Sequence, residues 1–196
     1  KNIKLLDHQK LSQYKLDNKS INLIDIKYDQ KRPFEKISNK SNKYIKDCFK
    51  LAFKIIKKEN IISFINGPIS KKYFLKKKYL GITEYIARKT DSKKQVMLIY
   101  NENLSVSPVT THLPLKYVTK NLNKEKIINN VTQIKKFYKQ FLKKKIKFAV
   151  LGLNPHCETI DKISEENRII IPAIKQLKKN RTYIDGPFSA DSFFIK

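Results

Sequence analysis

The chain has 196 residues, of which 40% are hydrophobic and 11% aromatic, a composition that excludes a disordered polypeptide and suffices for one domain with a substantial core. Its apolar runs, such as 61–65, are too short to cross a bilayer, and its first residues lack the apolar core of a signal peptide. Two cysteines, Cys48 and Cys157, are too few for a disulfide scaffold and indicate a reducing, cytoplasmic environment.

The formal net charge of +26 would normally indicate a polyanionic partner. However, arginine, which is preferred for bidentate recognition of phosphates and bases, occurs only at positions 32, 88, 168 and 181. The lysines are spread along the chain among many Asn and Ile residues. We therefore interpret the charge as compositional bias, and we expect non-specific polyanion adhesion at low salt but no specific nucleic-acid partner.

Hydrophobic periodicity predicts short strands that alternate with helices. In the first half, the predicted elements are a strand over 21–26, a helix capped by Ser41 and ending near Asn60, an apolar strand over 61–65, a helix over 70–78, and a short helix from a Thr83 cap to Thr90. In the second half, they are strands over 95–100 and 104–109, a helix over 124–144 with Phe137 and Phe141 on its inward face, a buried strand over 148–153, a helix opened by Ser164 and ending at Lys179, and a strand over 182–184.

This alternation indicates βαβ units and an α/β fold with a largely parallel sheet. Ligands of such folds bind beyond the carboxyl ends of the strands. Three polar segments follow predicted strands at that position: 66–68, 110–112 and 154–156. The last two deliver His112 and His156, which are therefore candidate functional residues.

A neutral imidazole is a good ligand for a divalent metal, but two imidazoles do not complete a site. From spacing alone, a metal site and a pair of loop histidines bonded to backbone carbonyls both stay open. Cys48 lies on the apolar side of a predicted helix and is interpreted as core, and Cys157 as a loop residue rather than a thiolate ligand.

Lys71 follows 66–70 and begins a predicted helix. A helix amino end with a lysine favours an anion such as phosphate. The alternative is that Lys71 is a solvated surface lysine without a functional role. The chain contains no GxxxxGK[ST], GxGxxG, GxSxG or HExxH motif. A P-loop, a conventional dinucleotide fingerprint and the common hydrolase signatures are thus unsupported.

Five segments occur together in an order similar to that of the 4-hydroxythreonine-4-phosphate dehydrogenases, and the resemblance covers the chain from about Leu5. These segments are NGPISK (66–71), GITEYIA (81–87), VTTHLPL (109–115), GLNPH (152–156) and DGPFSADSFF (185–194). The resemblance implies a three-layer α/β/α fold like that of isocitrate and isopropylmalate dehydrogenases. It also implies a homodimer with active sites at the subunit interface.

The family oxidises 4-phosphooxy-L-threonine with NAD or NADP, and the resulting β-keto acid loses carbon dioxide, a step in pyridoxal 5′-phosphate biosynthesis. The resemblance implies that His112 and His156 are two of three histidines that hold a divalent cation (Zn, Mg, Mn or Co). Such a cation polarises the alcohol that is oxidised. Thr83 matches a substrate-binding threonine, and Lys71 and Asp191 are assigned catalytic roles. The residues that bind the nicotinamide cofactor are not identified.

The chain also departs from the family pattern. Ile82 replaces the substrate-binding histidine of the family's GHTE motif, and 157–161 replaces a glycine-rich segment. We expect the 196 residues to be a single partial region that lacks the family's N-terminal strand and the C-terminal part carrying the third metal histidine. Two alternatives stay open: a relative acting on threonate or erythronate 4-phosphate, and a basic binding protein that has lost catalysis.

Overall fold

The computed structural model describes residues 2–17, 19–76, 78–157 and 163–195. The chain divides into two compact units, Lys1–Ile86 and Ala87–Lys196, and each is described by itself.

In the described residues, the first unit contains two parallel strands, one helix and the start of a second. Strand β1 (Ile3–Leu5) pairs with β2 (Ile21–Leu23) in the register Ile3 to Ile21 and Leu5 to Leu23. Helix α1 (Asn42–Lys58) follows a 3₁₀ turn over Asn39–Ser41, a π-helical turn covers Lys71–Leu75, and helix α2 covers Ile82–Lys89. Strand β2 confirms the predicted strand in a shorter form, whereas β1 was not predicted.

An aromatic cluster forms the core of the first unit. Phe49 projects from α1 and contacts Phe74 and Tyr85, with ring centroids 6.0 and 5.2 Å away. Phe53 lies one helical turn beyond Phe49 and packs against the same cluster. The helix ends as predicted near Asn60, whose φ of 53° takes the left-handed conformation common after a helix.

Four local predictions for the first unit were wrong or incomplete. No strand forms over 61–65, where Ile65 is 95% exposed, because a strand requires a hydrogen-bonded neighbour and the described chain provides none there. Ser41 makes no capping hydrogen bond; instead, the Ser38 hydroxyl accepts one from the N–H of Lys40 and caps the 3₁₀ turn that precedes α1. Thr83 lies inside α2 and cannot cap it. The helix predicted over 70–78 is reduced to a π-helical turn (Lys71–Leu75), which the Ser70 side chain caps.

The part of the second unit that the structure describes contains helices α3 to α5 and a second parallel pair of strands. Helices α3 (Val118–Asn121) and α4 (Lys124–Phe137) precede β3 (Phe148–Leu151), and α5 (Ile171–Lys179) precedes β4 (Ile184–Phe188). β3 and β4 are parallel, and the sheet places Leu151 opposite Phe188 at their carboxyl ends. Loops that leave these two strands therefore start side by side.

The core of the second unit lies between α4, α5 and β4. Its members are buried apolar side chains: Leu122, Ile127, Val131, Ile170, Ala173, Ile174, Leu177 and Ile184. Burying each large aliphatic side chain contributes roughly 1.5–3 kcal/mol to folding. Asn123 caps α4 by accepting a hydrogen bond from the N–H of Lys126, which fixes where the helix begins.

Several predictions for the second unit are corrected. The two strands expected over 95–109 reduce to one antiparallel bridge between Ile99 and Val106. The helix from Lys124 ends at Phe137 and continues only as a π-helical turn (Tyr138–Leu142). Phe137 and Phe141, predicted to face inward, are 38% and 48% exposed. Strand β4 starts later than the predicted strand over 182–184 and continues to Phe188.

The predicted helix after Ser164 is confirmed in a modified form. The Ser164 hydroxyl accepts a hydrogen bond from the N–H of Asn167, as expected of a capping residue. A π-helical turn (Glu166–Ile170) comes first, and the α-helical part begins at Ile171 with Pro172 in its first turn, where the missing proline N–H is tolerated. Helices and parallel strands together confirm an α/β fold, and the three-layer arrangement stays a prediction.

Candidate active site

The loop after β3 carries His156 and is anchored to the strand that it leaves. The N–H of Gly152 donates to the carbonyl of Phe188 on β4 (2.9 Å), and the N–H of Cys157 donates back to the carbonyl of Asn154 (3.0 Å). A Cβ at Gly152 would collide with Sγ of Cys157 and approach the Asn154 carbonyl oxygen to 3.0 Å, so the tight return of this loop favours glycine.

The segment after β4 holds the tip of the same loop. The N–H of Ala190 donates to the carbonyl of Pro155 (2.7 Å), and the Ser189 hydroxyl donates to the carbonyl of His156 (2.8 Å). Because Leu151 and Phe188 are paired at the strand ends, these two segments have only a short distance to cover before they meet. The parallel pairing of β3 and β4 therefore positions the histidine loop.

His156 and Asp191 form the central pair of the candidate site. Nδ1 of the imidazole lies 2.7 Å from Oδ2 of the carboxylate, while the His156 side chain is 77% exposed. A carboxylate on Nδ1 fixes the tautomer that carries its proton there and leaves the lone pair of Nε2 free to bind a ligand. The structure thus brings together two of the residues singled out in the sequence.

His112 lies in an exposed loop and has an unusual backbone conformation, with φ of 55°. Histidine tolerates this left-handed region better than most residues, and other loop residues such as Asn60 and Lys143 share it, so the conformation alone does not mark a site. The preceding segment is tied to the core: Val109 packs against it, and the side-chain amide of Asn130 donates to the Pro108 carbonyl (3.4 Å).

The two histidines supply part of the ligand set that a divalent cation needs. His156 offers a carboxylate-supported imidazole, and exposed His112 offers a second imidazole, which are borderline ligands suited to Zn or Co. Among the described ranges, no group of three or more His, Cys, Asp and Glu side chains is placed to hold a metal. A complete coordination sphere would need donors beyond these.

Cys157 contributes packing rather than a thiolate. Burial raises the pKa of its thiol, and the negative charges of Glu166 and Asp191 raise this pKa further. The thiol therefore stays protonated at neutral pH, in agreement with its interpretation as a loop residue. Most of the altered loop segment 157–161 that was singled out in the sequence lies outside the described residues. Cys48, interpreted as core, is half-buried on α1.

Glu166 is a site residue that the sequence did not single out. The carboxylate is only 3% exposed, and Oε1 accepts hydrogen bonds from the N–H groups of Leu153 and Asn154, both at 2.9 Å. Oε2 accepts from the side-chain amide of Asn154 at 2.8 Å. Burial alone would raise the pKa of Glu166, but these hydrogen bonds outweigh it and lower the pKa, so the group is ionised at neutral pH.

Three candidate residues lie in the first unit. Lys71 is exposed at the start of the π-helical turn, where the Ser70 hydroxyl accepts a hydrogen bond from the N–H of Tyr73. Thr83 is exposed on α2 and accessible to a ligand. Ile82 is half-buried and packs against the aromatic cluster around Phe49. The side chain at position 82 therefore contributes to the core and offers no hydrogen bond.

No helix in the described parts of the chain is both long and apolar enough to span a membrane.

Comparison with known proteins gives a consistent result. The family model described as pyridoxal phosphate biosynthetic protein PdxA matches residues 1–196. The chain is 35% identical over 178 residues to a 4-hydroxythreonine-4-phosphate dehydrogenase of Sulfurihydrogenibium sp. (strain YO3AOP1), covering 89% of this chain and 55% of that protein. It is 37% identical over 140 residues to the protein of the same name from Aquifex aeolicus (strain VF5), covering 69% of this chain and 43% of that protein.

The fold is likewise similar to a solved structure. The crystal structure of 4-hydroxythreonine-4-phosphate dehydrogenase from Klebsiella pneumoniae superposes with a TM-score of 0.81 at 24% identity, covering 99% of this chain and 61% of that chain. The chain spans about half the length of the curated relatives it matches. Since the family model matches every residue of the sequence, the chain belongs to the pyridoxal phosphate biosynthetic protein PdxA family.

Proposed function

We propose that the protein containing this chain oxidises 4-phosphooxy-L-threonine with NAD or NADP in pyridoxal 5′-phosphate biosynthesis. The secondary alcohol loses a hydride to the nicotinamide and a proton to a base, which leaves a ketone β to the carboxylate, and the β-keto acid then releases carbon dioxide. The observation that carries this proposal is the His156–Asp191 pair at the carboxyl end of β3, in a member of a family whose relatives bear the dehydrogenase name.

His112 and His156 are the residues that would hold a divalent cation (Zn, Mg, Mn or Co). When bound, the cation supplies Lewis-acid polarisation of the substrate hydroxyl. Asp191 orients the His156 imidazole through Nδ1 and keeps Nε2 available. Asp191 therefore acts through His156. We propose that it is a positioning residue, whereas the sequence had assigned it a catalytic role.

Lys71 and Thr83 are proposed to bind the phosphorylated hydroxy acid. The Lys71 ammonium is a point charge suited to a phosphate or to proton transfer, and the Thr83 hydroxyl can donate to a substrate oxygen. Both side chains are exposed, as substrate contacts require. We also propose a cytoplasmic homodimer with its active sites at the interface, and the two free cysteines support a reducing compartment.

A second substrate class is favoured by Ile82. This side chain packs against the Phe49 cluster and cannot donate to a substrate oxygen, whereas the GHTE motif has a histidine at this position. Loss of that hydrogen bond weakens the binding of a substrate that depends on it. Threonate or erythronate 4-phosphate is therefore the alternative substrate of a same-family dehydrogenase.

Steady-state assays of the full-length protein separate the two substrates. NADH or NADPH formation is measured with 4-phosphooxy-L-threonine and with threonate and erythronate 4-phosphate, each with added Mg, Mn, Co or Zn. Turnover of 4-phosphooxy-L-threonine supports the first proposal. Turnover of a sugar-acid phosphate alone replaces it with the alternative, and the absence of nicotinamide reduction with all three substrates would leave a binding protein without catalysis.

A further inference from the structure

We propose that Glu166 is a positioning residue for the His156 loop: its buried carboxylate fixes the backbone at Leu153 and Asn154, so that the His156 imidazole is presented at the end of β3. This inference rests on the proposed metal-binding role of His156. Glu166 touches neither substrate nor metal in this account and acts entirely through the loop.

The burial of Glu166 is the first reason. Acidic side chains are almost never fully buried unless their charge is compensated, and Glu166 is only 3% exposed. Within the described ranges, no lysine, arginine or histidine forms an ion pair with it. Its charge is compensated by hydrogen-bond donors, three of which belong to Leu153 and Asn154, besides the backbone N–H of Glu166 itself. The buried negative charge of Glu166, which would be unfavourable without these donors, thus lies against the short loop segment 153–154.

The geometry of these donors is the second reason. Two consecutive backbone N–H groups converge on one oxygen at 2.9 Å each, and the Asn154 amide occupies the other oxygen at 2.8 Å. Hydrogen bonds to an ionised acceptor are roughly twice as strong as neutral ones. The arrangement fixes the peptide planes on both sides of Leu153, just where the chain leaves the strand.

The third reason is the position of these bonds relative to His156. Asn154 precedes His156 by one proline, whose ring restricts φ, so a fixed Asn154 leaves little freedom for the path to the imidazole. The carbonyl of Asn154 also accepts from the N–H of Cys157, which closes a turn around His156. Asp191 then orients the ring itself. Glu166 holds the base of the loop, and Asp191 holds its tip.

Metal affinity and local exchange test this role in the full-length protein. The variants are Glu166→Gln, which keeps the shape and removes the charge, and Glu166→Ala. Glu165→Gln is the matched control, since it removes the same charge from the adjacent, half-buried residue. Co²⁺ affinity is measured by calorimetry, and the exchange of the Leu153 and Asn154 amides is measured without metal, with the Leu177 amide as a reference for global stability.

We expect Glu166→Gln to weaken Co²⁺ binding by about tenfold and Glu166→Ala by up to about a hundredfold, as is typical for residues that orient metal ligands. Relative to the Leu177 amide, which reports any change in global stability, the Leu153 and Asn154 amides should exchange at least about tenfold faster in Glu166→Gln, and the Glu165→Gln protein should stay unchanged. If the Glu166→Ala protein does not fold, the Co²⁺ affinity and amide exchange of Glu166→Gln alone test the positioning role.

His156→Ala, measured in parallel, separates this inference from the proposed function. Co²⁺ binding that is lost in His156→Ala but retained at full affinity in Glu166→Gln overturns the positioning role and leaves the metal proposal standing. Absence of Co²⁺ binding by the wild-type protein overturns the metal proposal. In that case the exchange data decide: unchanged protection of Leu153 and Asn154 in Glu166→Gln overturns the role of Glu166, and selective loss of protection supports it.

Discussion

Nδ1 of His156 and Oδ2 of Asp191 lie 2.7 Å apart, although 34 residues separate them in the chain. The parallel pairing of β3 with β4 brings them together, because each residue follows the carboxyl end of its strand by a few positions. An imidazole held in this way presents Nε2 outward, and this is the feature on which the proposed function depends.

Asp191→Asn is expected to weaken metal binding by about tenfold, because the neutral amide no longer fixes the tautomer and orientation of His156. Calorimetric titration of the full-length protein with Co²⁺ measures this change. Asp185→Asn is the matched control: Asp185 pairs on the surface with Lys178 at 2.7 Å and lies at the amino end of β4, the strand whose carboxyl end Asp191 follows. Equal affinities in the two variants would contradict a supporting role for Asp191.

Gly152→Ala is expected to destabilise the protein by about 1–3 kcal/mol, the usual cost of forcing an extra group into a packed site. The added Cβ would collide with Sγ of Cys157 and approach the Asn154 carbonyl oxygen to 3.0 Å. Denaturant unfolding measures the change. Gly67→Ala is the control, since nothing lies within 4 Å of its added Cβ. Adding Cys157→Ala to Gly152→Ala should recover part of the loss, and a fully additive double variant would disprove the collision.

The lowered pKa of Glu166 predicts that its contribution to stability falls at acidic pH. The folded state lowers the pKa of this group below its ordinary value of 4.5, so the unfolded chain binds the proton more readily. The contribution of Glu166 to stability is therefore fully present above pH 4.5 and is lost as the pH falls through its lower folded pKa. The stability difference between wild type and Glu166→Gln, measured by urea unfolding across this range, should shrink on acidification. A difference that grew instead would show the opposite sign of the pKa shift.

Ile82→His tests the departure from the GHTE motif. The new imidazole replaces an aliphatic side chain that packs against the Phe49 cluster, so we expect a loss of stability of about 1–3 kcal/mol. Turnover of 4-phosphooxy-L-threonine relative to threonate 4-phosphate should rise, because the imidazole can bond a substrate oxygen. Ile82→Leu, which keeps the apolar contact, should change neither the stability by more than about 1.5 kcal/mol nor the substrate ratio. An unchanged ratio in Ile82→His would remove position 82 as a determinant of specificity.

The sequence predicted the features that depend on local patterning. The apolar spacing around Phe49 predicted α1, and the hydrophobic run before Gly152 predicted a strand that delivers His156 to a strand end. Features that depend on distant partners were not predictable. The apolar run 61–65 has the composition of a strand, but a strand forms only when a neighbour completes its hydrogen bonds.

Glu166 was missed for a related reason. Its sequence position in the first turn of a helix is ordinary for an acidic residue, since negative charge is favoured there. Its burial and its bonds to Leu153 and Asn154 depend on how that helix packs against the end of β3, which no local pattern encodes. The pairing of His156 with Asp191 required the parallel register of β3 and β4 in the same way.

The central claim is that His112 and His156 bind one divalent cation. The most direct test is the metal content of the full-length protein, measured by elemental analysis after equilibration with Zn²⁺ or Co²⁺, for wild type, His112→Ala and His156→Ala, with His8→Ala as the control for histidine removal. We predict that each of the first two substitutions lowers the bound metal per chain and that His8→Ala does not. Unchanged metal stoichiometry in both His112→Ala and His156→Ala would contradict the account.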